Sequence, residues 1–434
     1  MKPSRLAGRR VVVVDGCRTP FARSGTVFSD LSAYDLGRCA VSGLLHRSGV
    51  DPEAVDLLVM GTVIQDPGTS NLAREVGLAS GLPDRVPAYT VTVACVSANV
   101  AFADAVRAIA LGQCDVAIAG GAETMSDAPI RVSRPIRRRL MAAQKARGPL
   151  GLLRHFAGTK LRDLAPEIPA IADFSTGLSM GQNGERLAKR LGITREAQDA
   201  YALDSHRKAA AAAAAGLLDD QVVPVMVPPR MTLVKADNGV RGDSTPEKMA
   251  SLRPAFDRTF GTITAANASY LTDGASAVLL ASEEKARELG LKPLASVVSM
   301  SLTAMDPLEE LLLGPAFAVP EALEGAGLDL QDVGVVEIHE AFAAQMLANL
   351  KLMEDADFAR DRLGRERPVG RVAPERLNAW GGSLSLGHPF GATGGRLITT
   401  CCRRMHGEGS RYGLVAACAA GAVGNAIVLE RVEP

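Results

Sequence analysis

Four short segments hold side chains of the kinds that do covalent and proton-transfer chemistry. In Val91-Thr-Val-Ala-Cys-Val-Ser-Ala-Asn99, Cys95 stands between an extended run and the start of a helix. A helix N-terminus stabilises a thiolate and lowers a cysteine's pKa, so a nucleophile belongs at such a junction; a lone cysteine there is otherwise a small core residue. In Trp380-Gly-Gly-Ser-Leu-Ser-Leu-Gly-His-Pro-Phe-Gly-Ala-Thr-Gly-Gly-Arg396, six glycines surround His388, which lies on a loop entering a helix near Ala392. Such a loop lets backbone approach a ligand closely, and the competing phosphate-cradle reading lacks the lysine of GxxxxGK[ST]. Val415-Ala-Ala-Cys418-Ala-Ala-Gly-Ala-Val-Gly424 is a strand ending in small residues, whose open backbone N–H groups suit an oxyanion hole beside a second reactive thiol. His339-Glu340-Ala-Phe-Ala343 falls at a strand-to-helix junction, and Asn267-Ala-Ser269 is a turn just before Thr272-Asp-Gly274. Taken alone, these last two read as structural.

Short β-branched runs alternating with helical stretches must position these groups. Val11 to Val14 is followed by a helix over Ala33 to Ser48, a strand over Asp56 to Gly61, and a helix across Asn71 to Ser80. A helix after Ala98 runs to about Leu111, and Cys114 to Glu123 reads as a buried strand ending in a glycine turn. The grammar returns near the C-terminus: Gly334 to Ile338 answers Asp56 to Met60, a helix follows Gly391, and Gly413 to Gly421 answers the Cys114 strand. This is an α/β pattern in two similar βαβ-type halves. We place the first half at 1–127 with 273–293, an inserted loop domain at 128–272, and the second half at 294–434.

The chain has 434 residues, 47% hydrophobic and 22% charged, with 48 Lys+Arg balancing 48 Asp+Glu. Those figures exclude a disordered chain and a globally basic nucleic-acid binder, and 17 aromatics give little surface for stacking bases. Seven cysteines without a C-x-x-C pair indicate neither a zinc site nor a disulfide framework. The glycine-broken run Tyr412 to Leu429 is a poor membrane span, and the start lacks a signal-peptide pattern, so a cytoplasmic setting is expected. Within the insertion, Arg131 to Arg162 carries ten Lys/Arg and no Asp or Glu. Leu140, Met141, Leu150, Leu152, Leu153 and Phe156 interleave with those cations, so we expect a lipid-facing helix there, with a CoA-phosphate dock and a solvated face as the competing readings. Thr194 to Gly216, with alanines from 209 to 215, is a helix closed by Gly216, and loop-like Pro-rich sequence follows.

Ala94-Cys95-Val-Ser97, the His339-Glu-Ala-Phe block, the Gly387-His-Pro389 block and the Cys418 strand resemble, in order and spacing, the thiolases. The resemblance covers essentially the whole chain. It is most similar to the branch of long-chain 3-ketoacyl-CoA thiolases that form the β subunit of the fatty-acid-oxidation trifunctional complex. His339 where many thiolases carry Asn, Cys418-Ala-Ala420 where many are richer in glycine, and the basic insertion all point there. The resemblance implies a layered αβαβα fold and ping-pong acyl transfer between 3-ketoacyl-CoA and CoA, with CoA a substrate and no tightly bound cofactor or metal. It implies Cys95 as nucleophile, His388 as its base and Cys418 as the acid/base at the acetyl-CoA carbon. His388 with a water held by His339 would hold the enolate oxygen, the backbone N–H of Cys95 and Ala420 the tetrahedral oxyanion, and Ser269 would face the pantetheine. A homodimer or tetramer, and a hydratase/dehydrogenase α subunit as partner, are further implications. Ala422 and Val423 depart from the branch and would narrow the acyl pocket, and Ala122 replaces a bulkier residue. Two other enzyme readings compete: an acetyl-CoA acetyltransferase working in the condensing direction, and a β-ketoacyl synthase, which pairs its cysteine with two histidines and lacks a counterpart of Cys418. A lipid carrier without turnover is the third, opposed by the intact Cys95, His388 and Cys418.

Overall fold

The computed structural model describes residues 7–167 and 172–433. The strands form two structurally matching sets. In the first, Leu57–Gly61 runs parallel to Val116–Glu123, which pairs antiparallel with Thr272–Ser282, which pairs antiparallel with Val11–Arg18. In the second, Val333–Ile338 runs parallel to Tyr412–Ala419, then Val423–Arg431 and Ala295–Ala304 follow, both antiparallel. The repeat inferred from pattern is therefore a repeat of strand order and direction. The first set has two more strands, Ala88–Val91 at its edge and the short Ala22–Arg23 against Thr272–Ser282, and a short pairing of Val12 and Val13 with Ser296 and Ala295 joins the two sets.

Alternation along the strands produces the layers. On Val11–Arg18, Val12 and Val14 pack into an outer core against helices Ala33–Ser48 and Leu72–Ala79, while Val11 and Val13 face inward. The inner core is filled by helices Ser97–Ala110 and Thr393–Gly407, which supply Phe102, Val106, Ile109, Leu397 and Ile398 and lie between the two sheets. Beyond the second sheet, helices Gly314–Ala326 and Ala343–Met353 bury Val319, Leu323, Met346 and Met353. The order is helix, sheet, helix, sheet, helix.

Local chemistry sets the helix ends. The Ser32 hydroxyl accepts from the Asp35 N–H and the Asp35 carboxylate from the Ser32 N–H, at 3.2 and 3.0 Å, a capping box worth about 1 kcal/mol. Gly49, at φ 66°, closes the same helix. Leu36, Ala40, Val41 and Leu44 form its buried stripe.

The insertion holds more regular structure than a loop domain, and the helix expected over Thr194 to Gly216 is one part of it. It contains helices Arg134–Ala143, Gly148–Phe156, Met180–Leu191 and Arg195–Ala214, and a small sheet of Val225–Val227 with Thr232–Val234. Met180–Leu191 carries weak helix formers, Gly181, Asn183 and Gly184, but these are its buried face, with Gly181 against Phe256 and Gly184 against Ile263. Packing overrides propensity there. A buried bidentate pair, Arg18 to Asp237 at 2.6 and 2.8 Å, fastens the insertion to the first sheet.

Candidate active site

Three of the four segments leave the carboxyl ends of parallel strands, where α/β sheets open a crevice. After Ala88–Val91 the chain turns sharply into the helix that starts at Ser97. Ala94 has φ 46°, a left-handed conformation that costs a non-glycine residue about 1 kcal/mol or more. The turn is held by Ser97, whose hydroxyl accepts from the Val93 N–H at 2.9 Å and donates to the Ala94 carbonyl at 2.7 Å. Cys95 is thereby presented half-buried ahead of the helix.

The helix-head expectation of a lowered pKa is corrected by the surroundings. Burial pushes the Cys95 thiol up to about 11; the N–H groups of Ala420 and of Cys95 itself face the sulfur and offset only part of that, and the Glu123 charge adds a smaller upward push. Cys95 rests as a thiol and needs a base.

Two imidazoles stand close to it. Cys95 Sγ and a ring nitrogen each of His339 and His388 all lie within 4.8 Å of one another, and the two rings are 4.0 Å apart at 40°. The His388 N–H donates to Thr272 Oγ1 at 3.0 Å, and Gly387 before it has φ 102°, where a Cβ would stand 2.8 Å from the Thr272 side chain. His388 Nδ1 is 2.6 Å from Thr393 Oγ1, and that hydroxyl donates to the Pro389 carbonyl at 3.0 Å. When that proton goes to Pro389, Thr393 accepts from His388, Nδ1 carries the hydrogen and Nε2 keeps the lone pair that a base for Cys95 requires. His388 Nε2 is buried without a partner among the described residues. Burial, and then Arg396, bring its pKa down to about 3, so the ring rests neutral.

His339 is fixed by an N–H bond to the Ala416 carbonyl at 2.9 Å, and burial, followed by His388 and Arg396, holds its pKa well below the ordinary value. Its neighbour Glu340 turns the other way. That carboxylate accepts from Tyr201, Ser205, Asn378 and the Leu384 N–H at 2.7 to 3.2 Å, bracing the insertion against the glycine-rich loop.

Cys418 ends Tyr412–Ala419 and is fully buried; burial, and then nearby Cys95, push its thiol above the ordinary range. Gly314 seals it from behind, since a Cβ there would meet Cys418 Cα and Cβ at 2.9 Å. Ser269 is half-buried, its N–H donating to the Ala341 carbonyl at 2.9 Å, two residues after His339.

The glycines of the His388 loop serve a different end from the one expected. A Cβ on Gly391 would meet Gly61 O and Thr62 Cα at 2.8 Å, and one on Gly394 would collide with Asn99 Oδ1. They seat the loop on the first sheet and on the helix Ser97–Ala110 that follows Cys95. Glu123 completes that seating by accepting from the Val63, Ile64 and Gly391 N–H groups at 2.9 to 3.0 Å. Of the two departures noted in sequence, Ala422 lines the apolar cluster around Cys418, but Ala122 packs toward Gly37 in the outer core, away from the site.

Sequence reasoning missed Thr393, Ser383 and Arg396. Ser383 Oγ lies 2.9 Å from His339 Nδ1 and accepts from Arg396 at 3.0 Å. Their place in the same glycine-rich stretch as His388 was the available signal. A groove of about 480 Å³ between helix Met180–Leu191 and the 308–312 turn includes none of these groups in its lining. The convergence of side chains, not the size of a groove, locates the site.

Known proteins resemble this chain over most of its length. Residues 11–284 match the family description "Thiolase, N-terminal domain" and residues 291–431 "Thiolase, C-terminal domain". The chain is 52% identical over 422 residues to the mitochondrial trifunctional enzyme subunit beta of Bos taurus, covering 97% of this chain and 88% of that one. It is 47% identical over 423 residues to a 3-ketoacyl-CoA thiolase of Yersinia enterocolitica, covering 98% and 97%. Among solved structures, an acetyl-CoA acetyltransferase of Bacillus anthracis superposes with a TM-score of 0.85 at 33% identity over 98% of this chain and all of the other. Human mitochondrial 3-ketoacyl-CoA thiolase superposes at 0.83 and 32%, over 98% and 99%.

Proposed function

The chain belongs to the thiolase family, and from that premise we propose how its residues carry the thiolytic cleavage of 3-ketoacyl-CoA by CoA in fatty-acid β-oxidation. CoA enters as a substrate. The observation that carries the assignment of roles is the convergence of Cys95 Sγ with the ring nitrogens of His339 and His388 within 4.8 Å, with the Ala420 N–H facing the same sulfur.

His388 Nε2 takes the Cys95 proton as the sulfur bonds to the 3-keto carbon, and the resulting oxyanion accepts from the Cys95 and Ala420 N–H groups. The bond between C2 and C3 then breaks, leaving an acyl-Cys95 thioester and an acetyl-CoA enolate. Protonated His388 and a water held by His339 hold the enolate oxygen while the Cys418 thiol protonates C2, and acetyl-CoA leaves. In the second half, the Cys418 thiolate takes the proton of an incoming CoA thiol. The CoA sulfur displaces the acyl group, and Cys95 recovers its proton from His388. To Ser269 we assign contact with the pantetheine of CoA. Incubation with acetyl-CoA and no free CoA should leave an acyl group on Cys95, read by peptide mass spectrometry. An adduct on Cys418 instead would exchange the two roles.

The finer expectations enter here as proposals. The halves divide at 1–127 with 273–293, 128–272 and 294–434, the chain assembles as a homodimer or tetramer, and a hydratase/dehydrogenase α subunit is its partner. Seven free cysteines support a reducing, cytoplasmic setting, to be checked by fractionation. Residues 131–162 meet an anionic membrane. Supporting this, their two helices expose Met141, Leu150 and Leu153 at 61, 74 and 68% beside exposed Arg138, Lys145, Arg147 and Arg154. Arg139 is not free for that role, because it donates to the His155 and Ala157 carbonyls at 3.0 and 2.6 Å. Salt-sensitive sedimentation with phosphatidylglycerol but not phosphatidylcholine vesicles, abolished by joint Arg138, Arg147 and Arg154→Glu replacement, is expected. Loss of CoA affinity without any vesicle binding would make the segment a substrate lid.

A further inference from the structure

Two histidines whose rings lie 4.0 Å apart share one site, both neutral at rest, and each offers an Nε2 with no partner among the described residues. A neutral imidazole presents either a lone pair or an N–H at that atom, and what holds Nδ1 decides which. For His388, Thr393 donating to the Pro389 carbonyl gives Nδ1–H and an Nε2 lone pair, the form that a base for the Cys95 thiol requires. For His339 the partner is a different kind of hydroxyl.

Ser383 Oγ is fully buried and has two neighbours: Arg396 Nη2 at 3.0 Å and His339 Nδ1 at 2.9 Å. Arginine has only donors, so Ser383 must accept from it. Among the described residues, the one acceptor within reach of the serine's own hydrogen is then His339 Nδ1. The opposite arrangement, with Nδ1–H donating to Ser383, would leave a buried hydroxyl hydrogen unpaired, which costs roughly 1–3 kcal/mol. Arg396 is itself fixed, buried and facing Glu337 at 3.4 Å. We propose that Ser383, oriented by Arg396, is a positioning residue that locks His339 in its Nε2–H tautomer, so that His339 offers a permanent donor to the enolate oxygen or its water, while His388 offers a lone pair to the Cys95 thiol.

The division of labour follows without a difference in residue type. His388 must accept a proton to start the reaction, and a donor tautomer there would be inert toward a thiol. His339 must donate at the moment negative charge reaches the enolate oxygen, and a lone pair pointing there would repel it. Exchanging the two hydroxyl environments would disable both steps.

The proposal rests on the assignment of Cys95 as nucleophile, and its test separates the two. In Ser383→Ala, His339 is free to take the other tautomer, so kcat for cleavage should fall by at least ~10-fold with KM nearly unchanged, short of the ~10²–10³-fold lost with an oxyanion donor outright. Acylation of Cys95 by acetyl-CoA, which uses His388, Cys418 and the backbone N–H groups but forms no enolate, should be retained, and Ser383→Thr should restore most of the cleavage rate. Long-range ¹⁵N–¹H spectra of the histidine-labelled wild type should show the proton of His339 on Nε2 and that of His388 on Nδ1. That measurement decides the matter even if the alanine variant does not fold. A His339 proton on Nδ1, an unchanged kcat in Ser383→Ala, or acylation and cleavage falling together would overturn the proposal. Absence of acyl-Cys95 in the wild type would instead overturn the underlying nucleophile assignment.

Discussion

In the free enzyme the Cys95 sulfur should behave as an ordinary, reluctant thiol. Its thiol is pushed up to about 11 and the His388 imidazole down to about 3, so the thiolate–imidazolium pair lies about eight decades below the neutral pair before the two charges attract. Over the 4.8 Å limit that spans these groups, attraction at an effective dielectric of 20 contributes about 3.5 kcal/mol, or about 2.5 decades. The ion pair then holds between ~10⁻⁵ and ~10⁻⁶ of the population, whereas the simple thiolate fraction at pH 7 is ~10⁻⁴. Alkylation by iodoacetamide, followed on the Cys95 peptide, should therefore rise tenfold per pH unit from 7 to 10 with no plateau. The same shift bears on stability. A folded-state pKa above the ordinary 9 gives stability that is complete below pH 9 and lost as the pH rises through about 11, of the order of 2–3 kcal/mol. Melting curves in parallel will show that the protein is still folded where labelling is read. A labelling rate independent of pH between 6 and 8 would mean that the ion pair already exists, and the argument from burial would fail.

Three further outcomes follow. Cys418→Ser should still form acyl-Cys95 from acetyl-CoA but lose ~10²–10⁴-fold in overall cleavage, because a serine hydroxyl is too weak an acid for the enolate; near-normal turnover would remove Cys418 from the mechanism. His339→Ala should lower kcat by up to ~10²–10³-fold while changing KM less, and His339→Asn, which keeps a donor, should recover part of the loss; an unaffected kcat would return His339 to a packing role. Gly314→Ala places a methyl 2.9 Å from Cys418 Cα and 2.8 Å from Gly424 Cα, so it should cost about 1–3 kcal/mol in thermal unfolding and depress cleavage more than Cys95 acylation; a variant with wild-type stability and cleavage rate would show that this wall can yield.

Much of the frame was legible because its signals are local. The helix Ala33–Ser48 reads from Ser32, the buried stripe and Gly49, and Arg195–Ala214 from Thr194 and its alanine run. The equivalence of the Val116–Glu123 and Tyr412–Ala419 strands was visible as two apolar runs, each ending in small residues. What was not legible depends on partners distant in the chain. Met180–Leu191 looks helix-averse until Phe256 and Ile263 are seen to need its glycines, and Gly394 looks like a ligand contact until Asn99 is placed against it. Whether a cysteine at a helix head is activated depends on how much water its sulfur keeps, and no spacing of residues reports that.

The site's electrostatics explain why its reactive groups are kept uncharged at rest. Arg396 stands near both histidines and lowers the proton affinity of each, and burial acts in the same direction. The same burial raises Cys95 and, further, Cys418. An arrangement that disfavours every charge would be a poor catalyst if charge had to appear on the protein before substrate arrived. It is suited to a reaction in which each proton moves only as a bond to carbon forms or breaks, because the fixed donors, the Ala420 and Cys95 N–H groups and His339 Nε2–H, are aimed at oxygens that become negative during the reaction. On the proposed mechanism, the rest-state penalty on the Cys95 thiolate protects that thiol from adventitious electrophiles, while the substrate's own carbonyl, polarised by those donors, would supply the driving force that the free enzyme lacks.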